Sequence, residues 1–582
     1  MASSFDSQCS LLGSMALVFT GAPKVLAQTH YLVVGGGPAG YVVAEQLSQN
    51  PQVNVTLLEA GPDCQSDDNV NTPGNLMHVG NLMFQYNSQP DDNLGGLTPN
   101  LWQGRALGGG AAVNATGYCR GSASVFDEWA AISGNPGLAW SSILDDYRAT
   151  THYTQQPANY DKPIDSISAF ENGPIELSRQ SGLAGMELPF AHAWQNQANL
   201  SMMDAMNGEG IGVYLGLQSI RANNRTQSYP PSTYGMMMAE RPNVQVLANH
   251  WVQRIGFSTT RATGVKFVDT LTGMESTMDA DEIVLATGAL NSPKLLMQSG
   301  VGPASTLEDL DIPVVADMQD IGAQLWDHRY SYIEWQMTDD VMTNWKWQSN
   351  ASLMAEVQRQ YRANYSGPMG WNNAAPSYAA LRIPDSAFAG VNSSFFQQLD
   401  PDRPHVLFQA GAYAFNASLA PNPNVSMVST WASVTQPEAA GYLTINPSDY
   451  REAPLISSYS NYYGSPADKA AILYAYKMMR SVLAAEREFA DKAVMEAFPG
   501  SNSTSDDQLW QAIQRSASSF HHPVGTVPLG KVVDANWRIK GLDGIRVVDS
   551  SAIPTLPTCH PMSHVYAVAH RAAMDIKHAD GI

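Results

Sequence analysis

Few cysteines, few basic residues and no long apolar run restrict the functions open to this chain of 582 residues. The four cysteines are Cys9, Cys64, Cys119 and Cys559. Their spacing is not that of metal ligands, so no metal site is predicted. A disulfide between Cys64 and Cys119 stays open. Lys and Arg number 32 against 53 Asp and Glu, and the formal charge of -21 argues against binding nucleic acid or an anionic membrane. No stretch has the length of a membrane-spanning helix. A hydrophobic content of 44% indicates a globular protein, and a chain of 582 residues is too long for one simple core, so two or more substructures are expected.

The N-terminus and the Asn-x-Ser/Thr sequons predict a protein of the secretory pathway. The apolar run at residues 11–20 (LLGSMALVFT) resembles the core of a signal peptide over residues 1–27, although no Lys or Arg precedes it. Two sequons, at Asn54 and Asn114, fall inside cofactor motifs and are predicted to be unused. The remaining sequons are predicted N-glycosylation sites: Asn199, Asn224, Asn350, Asn364, Asn392, Asn416, Asn424 and Asn502.

Residues 31–59 have the order of elements of a dinucleotide-binding Rossmann unit. A buried strand is predicted at residues 31–34 (YLVV), a helix at residues 41–47, and a second strand at residues 53–58 that ends at Glu59. The turn GGGPAG lies between the first strand and the helix. The complete order is far more specific than a glycine-rich loop alone.

The residues of this turn each have a physical task in binding a dinucleotide. Gly35 permits the tight turn, Gly37 lets backbone approach the pyrophosphate, and Gly40 lets the helix pack against the strand. Glu59, nineteen positions after Gly40, is placed to accept hydrogen bonds from the adenosine ribose, and its charge disfavours NADP. The fingerprint alone does not decide between NAD and FAD.

Two further segments suit a flavin site. Residues 104–114 (GRALGGGAAVN) are a run of small residues, as expected where backbone passes against a flat ring system. Near the C-terminus lie HHPVGT, GIRVVD and PTLPTCHPM, in which a predicted strand at residues 545–548 delivers Asp549 at its carboxyl end. Ligands of open α/β sheets usually bind at such ends.

A fourth segment, GALNSPKLLMQSGVG at residues 288–302, follows a predicted strand at residues 282–286. Its capping residues predict a helix with Ser292 as N-cap, Pro293 as first residue and Gly300 as the residue that ends it.

Together the four segments resemble the glucose–methanol–choline (GMC) oxidoreductases over nearly the whole chain, from Tyr31 to about Ile576. The first family signature departs only at Ala111, where Gly, Ser or Thr is usual. In type the chain is similar to the fungal aryl-alcohol oxidase, patulin synthase and versicolorin B synthase members. The resemblance implies FAD as cofactor. It also implies non-covalent attachment, because Val113 stands where some members carry the His that links FAD.

Specific FAD contacts follow from the same resemblance. Pro38, Ala39 and Glu59 fall at contacts to the ADP moiety, and Val252 falls at a backbone contact to adenine. With the glycine turn, the implied cofactor-binding residues are Gly35, Gly37, Pro38, Ala39, Gly40, Glu59, Gly110, Asn114, Ala115, Gly117, Val252, Asp549, Ser550 and Met562.

The catalytic residues implied by the resemblance are two histidines. Oxidising an alcohol requires a base for the hydroxyl proton, and His522 matches the family's base, a role suited to an unperturbed pKa of about 6.5. His560 matches the second member of the pair and is expected to hydrogen-bond the substrate oxygen. Nearby residues are assigned no catalytic role: His521 and His564 as supporting or structural, Cys559 as a small filler, and Asp327 and His328.

The implied fold is α/β with two domains. A Rossmann-like FAD-binding domain is predicted from residues 28–165, 230–310 and 515–582. A substrate-binding domain, with a largely antiparallel sheet and flanking helices, is predicted from residues 166–229 and 311–514. Some of its aromatic residues are expected to line the substrate pocket: Trp335, Trp345, Trp347, Trp371, Tyr378, Tyr413 and Trp431.

The leading interpretation is FAD-dependent oxidation of a small aryl, furanyl or secondary-metabolite alcohol, with O2 as electron acceptor. A dehydrogenase that passes electrons to a quinone is the near alternative. The family also contains FAD proteins without net redox chemistry, such as hydroxynitrile lyases and the versicolorin B cyclase, so a cyclase or lyase using the same histidines stays open. Glucose, methanol and choline are disfavoured as substrates, and the oligomeric state is not indicated.

Overall fold

Two β-sheets, one parallel and one antiparallel, organise the described part of the chain. The computed structural model describes residues 29–154, 167–371, 377–416, 424–457 and 463–582, so the predicted signal peptide and Cys9 lie outside the described residues. The parallel sheet has five strands, in the spatial order Val244–Leu247, Val53–Leu58, Thr29–Val34, Glu282–Leu285 and Ile545–Val547. This is the order of a Rossmann-like sheet, which confirms that part of the predicted fold.

The turn after strand Thr29–Val34 brings backbone segments close together. Gly35 follows the strand with a φ of 109°, a conformation that favours glycine. Helix Pro38–Ser48 then begins with proline at its first position, where the missing N–H costs no hydrogen bond. A side chain at Gly40 would collide with the carbonyl oxygen of Gly35. The start of the helix is therefore held against the carboxyl end of the strand.

The helix that follows strand Glu282–Leu285 begins earlier than the sequence predicts. It spans Gly288–Gln298, so Pro293 lies inside it and Ser292 is not its N-cap. Pro293 has no N–H to donate to the carbonyl of Ala289, and the Thr526 hydroxyl donates to that carbonyl instead, at 2.6 Å. The predicted start was wrong because a residue distant in sequence satisfies the group that proline leaves open.

The antiparallel sheet has seven strands and packs against helices. The strands on its main path are, in spatial order, Ala493–Phe498, Arg329–Met337, Ser426–Val434, Val406–Gly411, Ser377–Leu381 and Gly212–Leu215. The short strand Ser518–Ser519 pairs with Arg329–Met337 beside this path. An apolar cluster joins the sheet to helix Pro466–Ala485, so the predicted antiparallel sheet with flanking helices is confirmed.

Successive side chains along each strand point to opposite faces of this sheet, and only one of the two faces belongs to the apolar cluster. Phe408 and Ala410 belong to the cluster, whereas Gln409 between them lines a cavity. Gln409 is paired in register with Trp431 of the neighbouring strand. The two side chains are therefore neighbours on the cavity face.

Smaller elements complete the described fold. The helices of at least eight residues not yet given are Ala123–Ser133, Trp140–Thr150, Glu187–Gln197, Ala351–Asn364, Asp506–Ser516 and Met562–Asp580. The shorter helices are Asp68–Asn71, Gly110–Val113, Tyr234–Met238, Ala304–Asp309, Asn344–Gln348, Ser394–Gln398 and Arg487–Ala490. A three-stranded sheet contains His250–Ser258, Arg261–Asp269 and Glu275–Asp279. Paired short strands are Met83–Asn87 with Asn100–Gly104, Gly117–Tyr118 with Leu217–Gln218, Thr151–Tyr153 with Ile175–Leu177, Val301–Gly302 with Ala316–Asp317, and Tyr442–Thr444 with Leu455–Ser457.

The strands of the parallel sheet all fall in the ranges predicted for the FAD-binding domain. Of the antiparallel sheet, only Ser518–Ser519 falls outside the ranges predicted for the substrate-binding domain. The domain boundaries themselves stay predictions. No helix in the described ranges is both long and apolar enough to cross a bilayer.

The predicted glycosylation sites differ in exposure. Five of them are exposed in the described residues: Asn199, Asn364, Asn392, Asn424 and Asn502. Asn114, predicted to be unused, lines a cavity. Secretion and glycosylation stay predictions.

Candidate active site

A cavity of 440 Å³ lies between the carboxyl ends of the parallel strands and the free face of the antiparallel sheet. It gathers the catalytic and cofactor positions predicted from the sequence, with one exception. The predicted residues that line it are Gly35, Gly37, Pro38, Ala39, Glu59, Gly110, Asn114, Ala115, Gly117, Val252, His522, Asp549, Ser550, His560 and Met562. The exception is Gly40, which packs the first helix against the turn at Gly35. The roles of these residues stay predictions, but the fold brings them to one place.

The two predicted catalytic histidines face each other in this cavity. Nε2 of His522 and Nδ1 of His560 are 3.2 Å apart, with the ring planes nearly perpendicular at 88°. The buried carboxylate of Asp327 positions the backbone of His522, because its Oδ1 accepts the His522 N–H at 2.9 Å. Its Oδ2 accepts the Ser519 hydroxyl at 2.5 Å.

The other nitrogen of His522 contacts a third histidine. Nδ1 of His522 lies 3.0 Å from Nδ1 of His328, and Nε2 of His328 lies 3.0 Å from the carbonyl oxygen of Pro557. Asp327 and His328, which were predicted to have no catalytic role, both contact His522, and these contacts were not predicted. Asp327 and His328 are almost two hundred residues from His522 in sequence, so only the folded chain places them beside the C-terminal histidines.

The far side of His560 contacts the antiparallel sheet. Nε2 of His560 lies 2.6 Å from the amide nitrogen of Gln409. The indole N–H of Trp431 donates to the amide oxygen of Gln409 at 3.0 Å. The sequence carried no signal for Gln409, since an isolated glutamine in a strand has no distinctive pattern.

The histidines of the site are held neutral. Burial lowers the pKa of His522 well below its usual value, and the neighbouring imidazoles of His560 and His328 lower it further. Burial lowers the pKa of His560 to about 4. Burial and then His560 lower the pKa of His328 to about 3, against the opposing effect of the Pro557 and Thr435 carbonyls. At neutral pH each ring therefore has one bare nitrogen that can accept a proton.

Aromatic side chains surround the histidine pair. Phe520 stacks on His522 with ring centroids 5.3 Å apart and an interplanar angle of 11°. Tyr413 and Trp431, two of the aromatics expected near the pocket, line the cavity. Trp335 and Trp347 instead belong to separate apolar clusters, so they are core residues.

Cys559, next to His560, is not the small filler that the sequence suggested. It forms a disulfide with Cys119, with a Cα–Cα distance of 6.3 Å across a sequence separation of 440. Cys64, which the sequence left as a partner for Cys119, is buried in another apolar cluster. The alternative pairing was open in the sequence because nothing local shows that residues 119 and 559 are adjacent in space.

Comparison with known proteins decides the family. A family profile described as GMC oxidoreductase matches residues 29–330, and a second profile with the same description matches residues 437–569. The chain belongs to the GMC oxidoreductase family. Its cofactor is FAD, and the match places it in the class of GMC-type FAD oxidoreductases.

Several GMC relatives cover almost the whole chain. The patulin synthase of Aspergillus clavatus is 28% identical, over 94% of this chain and 92% of its own length. The formate oxidase of Aspergillus oryzae has the same fold, with a TM-score of 0.85 at 23% identity, covering 95% of this chain and 99% of its own. A fungal aryl-alcohol oxidase has a TM-score of 0.81 at 22% identity, covering 96% and 100%. These names differ in substrate, so the GMC fold does not by itself fix the donor.

The residues of the cavity fit FAD. Gly110 lines the cavity and a Cβ there would meet no atom within 4 Å, so its backbone borders open space that a cofactor can occupy. Asn291 also lines the cavity, and its buried amide nitrogen has no hydrogen-bond partner among the described residues. Asp549, at the carboxyl end of strand Ile545–Val547, is fixed by the Ser292 hydroxyl at 2.6 Å and the Gly288 N–H at 2.8 Å.

Glu59 is held in the cavity as the predicted ribose ligand. Its two oxygens accept the backbone N–H groups of Gly36 at 2.8 Å and Gly61 at 2.9 Å, which leaves each oxygen one further acceptor position. Burial raises the pKa of Glu59 to about 7, against the lowering effect of these N–H groups and of Arg105.

We expect the affinity of the apoprotein for FAD to fall about tenfold between pH 8 and pH 6. The carboxylate is populated above the raised pKa and accepts ribose hydroxyls better than the protonated acid, so each pH unit below 7 costs up to a factor of ten. Titration of apoprotein with FAD, followed by flavin fluorescence, measures this. Glu59→Gln is the matched control: it should bind more weakly at every pH and show no change over this window. Equal wild-type affinity at pH 6 and pH 8 would contradict the assignment.

Proposed function

We propose that this GMC protein oxidises a small, uncharged aromatic alcohol to the carbonyl compound, with His522 as the base that removes the hydroxyl proton. The observation that carries this proposal is the approach of His522 Nε2 and His560 Nδ1 to 3.2 Å inside the cofactor cavity. A hydroxyl oxygen that lies beside this pair, within hydrogen-bond distance of both nitrogens, contacts both rings at once.

Three side chains have separate roles in the proposed reaction. His522 is neutral and accepts the hydroxyl proton at a ring nitrogen. His560 donates a hydrogen bond to the substrate oxygen and stabilises the negative charge that grows there. When bound, FAD would supply the acceptor for the hydride that leaves the carbon and a route for the electrons to an oxidant, which we propose to be O2. Asp327 keeps the His522 backbone in place through the hydrogen bond at 2.9 Å.

The aromatic surroundings of the histidines support the substrate class. Phe520, Tyr413 and Trp431 line the cavity, and Phe520 stacks on the ring of the proposed base. Flat apolar rings bind such walls by burial and by ring contacts, whereas a sugar with several hydroxyl groups needs several polar partners. The fungal aryl-alcohol oxidase named above fits this class, although its likeness to this chain is one of fold.

Anaerobic mixing of the purified holoenzyme with benzylic, furanyl and aliphatic alcohols, and with glucose, tests the proposal. Loss of the oxidised flavin absorbance with the aromatic alcohols is the expected result, and rapid return of the colour in air supports O2 as acceptor. Slow return in air, speeded by a quinone, would make the protein a dehydrogenase. Reduction by glucose alone would overturn the substrate class. Normal reduction by dithionite but by no alcohol would favour the non-redox cyclase or lyase.

A further inference from the structure

The histidine pair is the centre of a longer chain of hydrogen bonds. From one end the chain runs through the indole of Trp431, the amide of Gln409 and the rings of His560, His522 and His328, and it ends at the carbonyl of Pro557. Its links measure 3.0, 2.6, 3.2, 3.0 and 3.0 Å.

We propose that His328 is a positioning residue that fixes the ring tautomer of His522, so that Nε2 of His522 is the bare nitrogen facing the substrate. The proposal rests on the proposed function, because it explains how the base is kept in its reactive form. It adds a residue to the site that touches neither substrate nor cofactor and acts through the base.

The Pro557 end of the chain sets this tautomer. A carbonyl oxygen only accepts, so Nε2 of His328 carries the proton that it donates to Pro557. The buried His328 ring is neutral, so its Nδ1 is bare and accepts from Nδ1–H of His522. A neutral His522 ring with its proton on Nδ1 has a bare Nε2. The opposite tautomer would place two bare nitrogens against each other at 3.0 Å and leave an N–H, not a base, facing the substrate.

The Trp431 end of the hydrogen-bond chain independently gives the same order of donors and acceptors. An indole N–H only donates, so the amide oxygen of Gln409 faces Trp431 and its NH2 faces His560. Nε2 of His560 is then the acceptor, and the proton of this ring lies on Nδ1, which points at the bare Nε2 of His522. The two ends, one that only donates and one that only accepts, therefore agree at the 3.2 Å link where they meet.

This order of donors and acceptors suits the hydroxyl group of an alcohol. A hydroxyl group both donates and accepts, so it can replace the direct contact of 3.2 Å between His560 and His522, with the two rings moving apart, without changing any tautomer. Its oxygen accepts from Nδ1–H of His560, and its proton points at Nε2 of His522. After proton transfer, His522 carries a proton on each nitrogen, and its Nδ1–H still donates to His328, which stabilises the imidazolium.

Two variants of His328 separate this role from simple packing. The side-chain oxygen of His328→Asn reaches the position of Nδ1, so it keeps an acceptor for His522 and loses the bond to Pro557. His328→Gln reaches the position of Nε2, so it keeps the bond to Pro557 and loses the acceptor. Each variant removes one of the two hydrogen bonds from the same buried site, which makes the pair a matched control.

We expect His328→Gln to lower the rate of flavin reduction at saturating alcohol by about 100-fold, with KM changed little, because the base loses its tautomer preference and its acceptor. His328→Asn should stay within about tenfold of wild type. The acid limb of the pH profile of the flavin reduction rate should move in His328→Gln only. The titratable groups that face His522 are His328, His521, His560, His564 and Asp327. Equal losses in both variants with unchanged pH profiles would mean a structural role and would overturn the proposal.

A second measurement does not depend on turnover. Ring 15N shifts of histidine-labelled holoenzyme report which nitrogen of each ring is protonated, and the His522 signals are assigned by their loss in His522→Gln. Wild type should show His522 with a protonated Nδ1 and a bare Nε2, and His328→Gln should show a mixture. A proton on Nε2 of wild-type His522 would overturn the proposal whatever the activity. If no alcohol reduces the wild-type flavin, the proposed function fails while this tautomer test still gives an answer.

Discussion

His522→Ala should reduce flavin with its alcohol substrate about 1,000-fold more slowly than wild type, while the oxidised flavin spectrum shows that FAD is still bound. A positioned general base contributes about 100- to 10,000-fold, and His522 is the ring held between His560 and His328 with its backbone fixed by Asp327. Stopped-flow absorbance under anaerobic conditions measures the rate, and the bound flavin per protein is measured in the same sample.

His192→Ala is the matched control for this loss. His192 lies at the surface, where its Nδ1 is 2.7 Å from a Glu488 carboxylate oxygen, so its removal should leave the reduction rate unchanged. A His522→Ala rate within tenfold of wild type would place the base elsewhere. Loss of FAD from the variant would show instead that the ring is needed to build the cavity.

The double variant Cys119→Ser/Cys559→Ser should lose about 2–5 kcal/mol of stability, the usual range for a native disulfide. The bond links residues 440 apart in sequence and both cysteines are buried, so its loss frees a very long loop in the unfolded chain and loosens the folded site. Because Cys559 precedes His560 directly, flavin reduction should also slow, though less than in His522→Ala.

Thermal unfolding followed by flavin release measures the effect of the disulfide. Cys64→Ala is the control, since Cys64 is buried in a separate apolar cluster and is not next to His560 in sequence. Its unfolding midpoint should fall less than that of the double variant. A double variant as stable as wild type would show that packing around His560 is sufficient without the bond.

Local signals in the sequence predicted four of the five strands of the parallel sheet but not the edge strand Val244–Leu247. The run of apolar residues before GGGPAG and the strand ending at Glu59 lie where they were expected, because fully buried strands next to glycine turns have a strong pattern. The start of the helix at Gly288 was missed because the Thr526 hydroxyl satisfies the carbonyl that Pro293 leaves open. Such a contact, across more than two hundred residues, leaves no local trace.

The candidate site was predictable only where motifs recur in the family. His522 and His560 were found from the resemblance, and Trp431 was among the aromatics expected near the pocket, whereas the place of Gln409 depends on the register of two neighbouring strands. His328 lies just before strand Arg329–Met337 and meets the C-terminal loop through tertiary packing. Strand register and loop packing are decided by the whole antiparallel sheet, so reading one segment at a time does not reveal them.

The last strand of the parallel sheet, Ile545–Val547, has a consequence for how the protein is made. It pairs with Glu282–Leu285, and Asp549, His560 and Cys559 all follow it within the final residues of the chain. The ribosome therefore completes most of the polypeptide before the cofactor cavity has its full wall. The antiparallel sheet, whose main-path strands end at Phe498, is synthesised earlier and is free to assemble first. Capture of FAD is then a late event, and a chain shortened before Ile545 would keep His522 but lack Asp549 and His560.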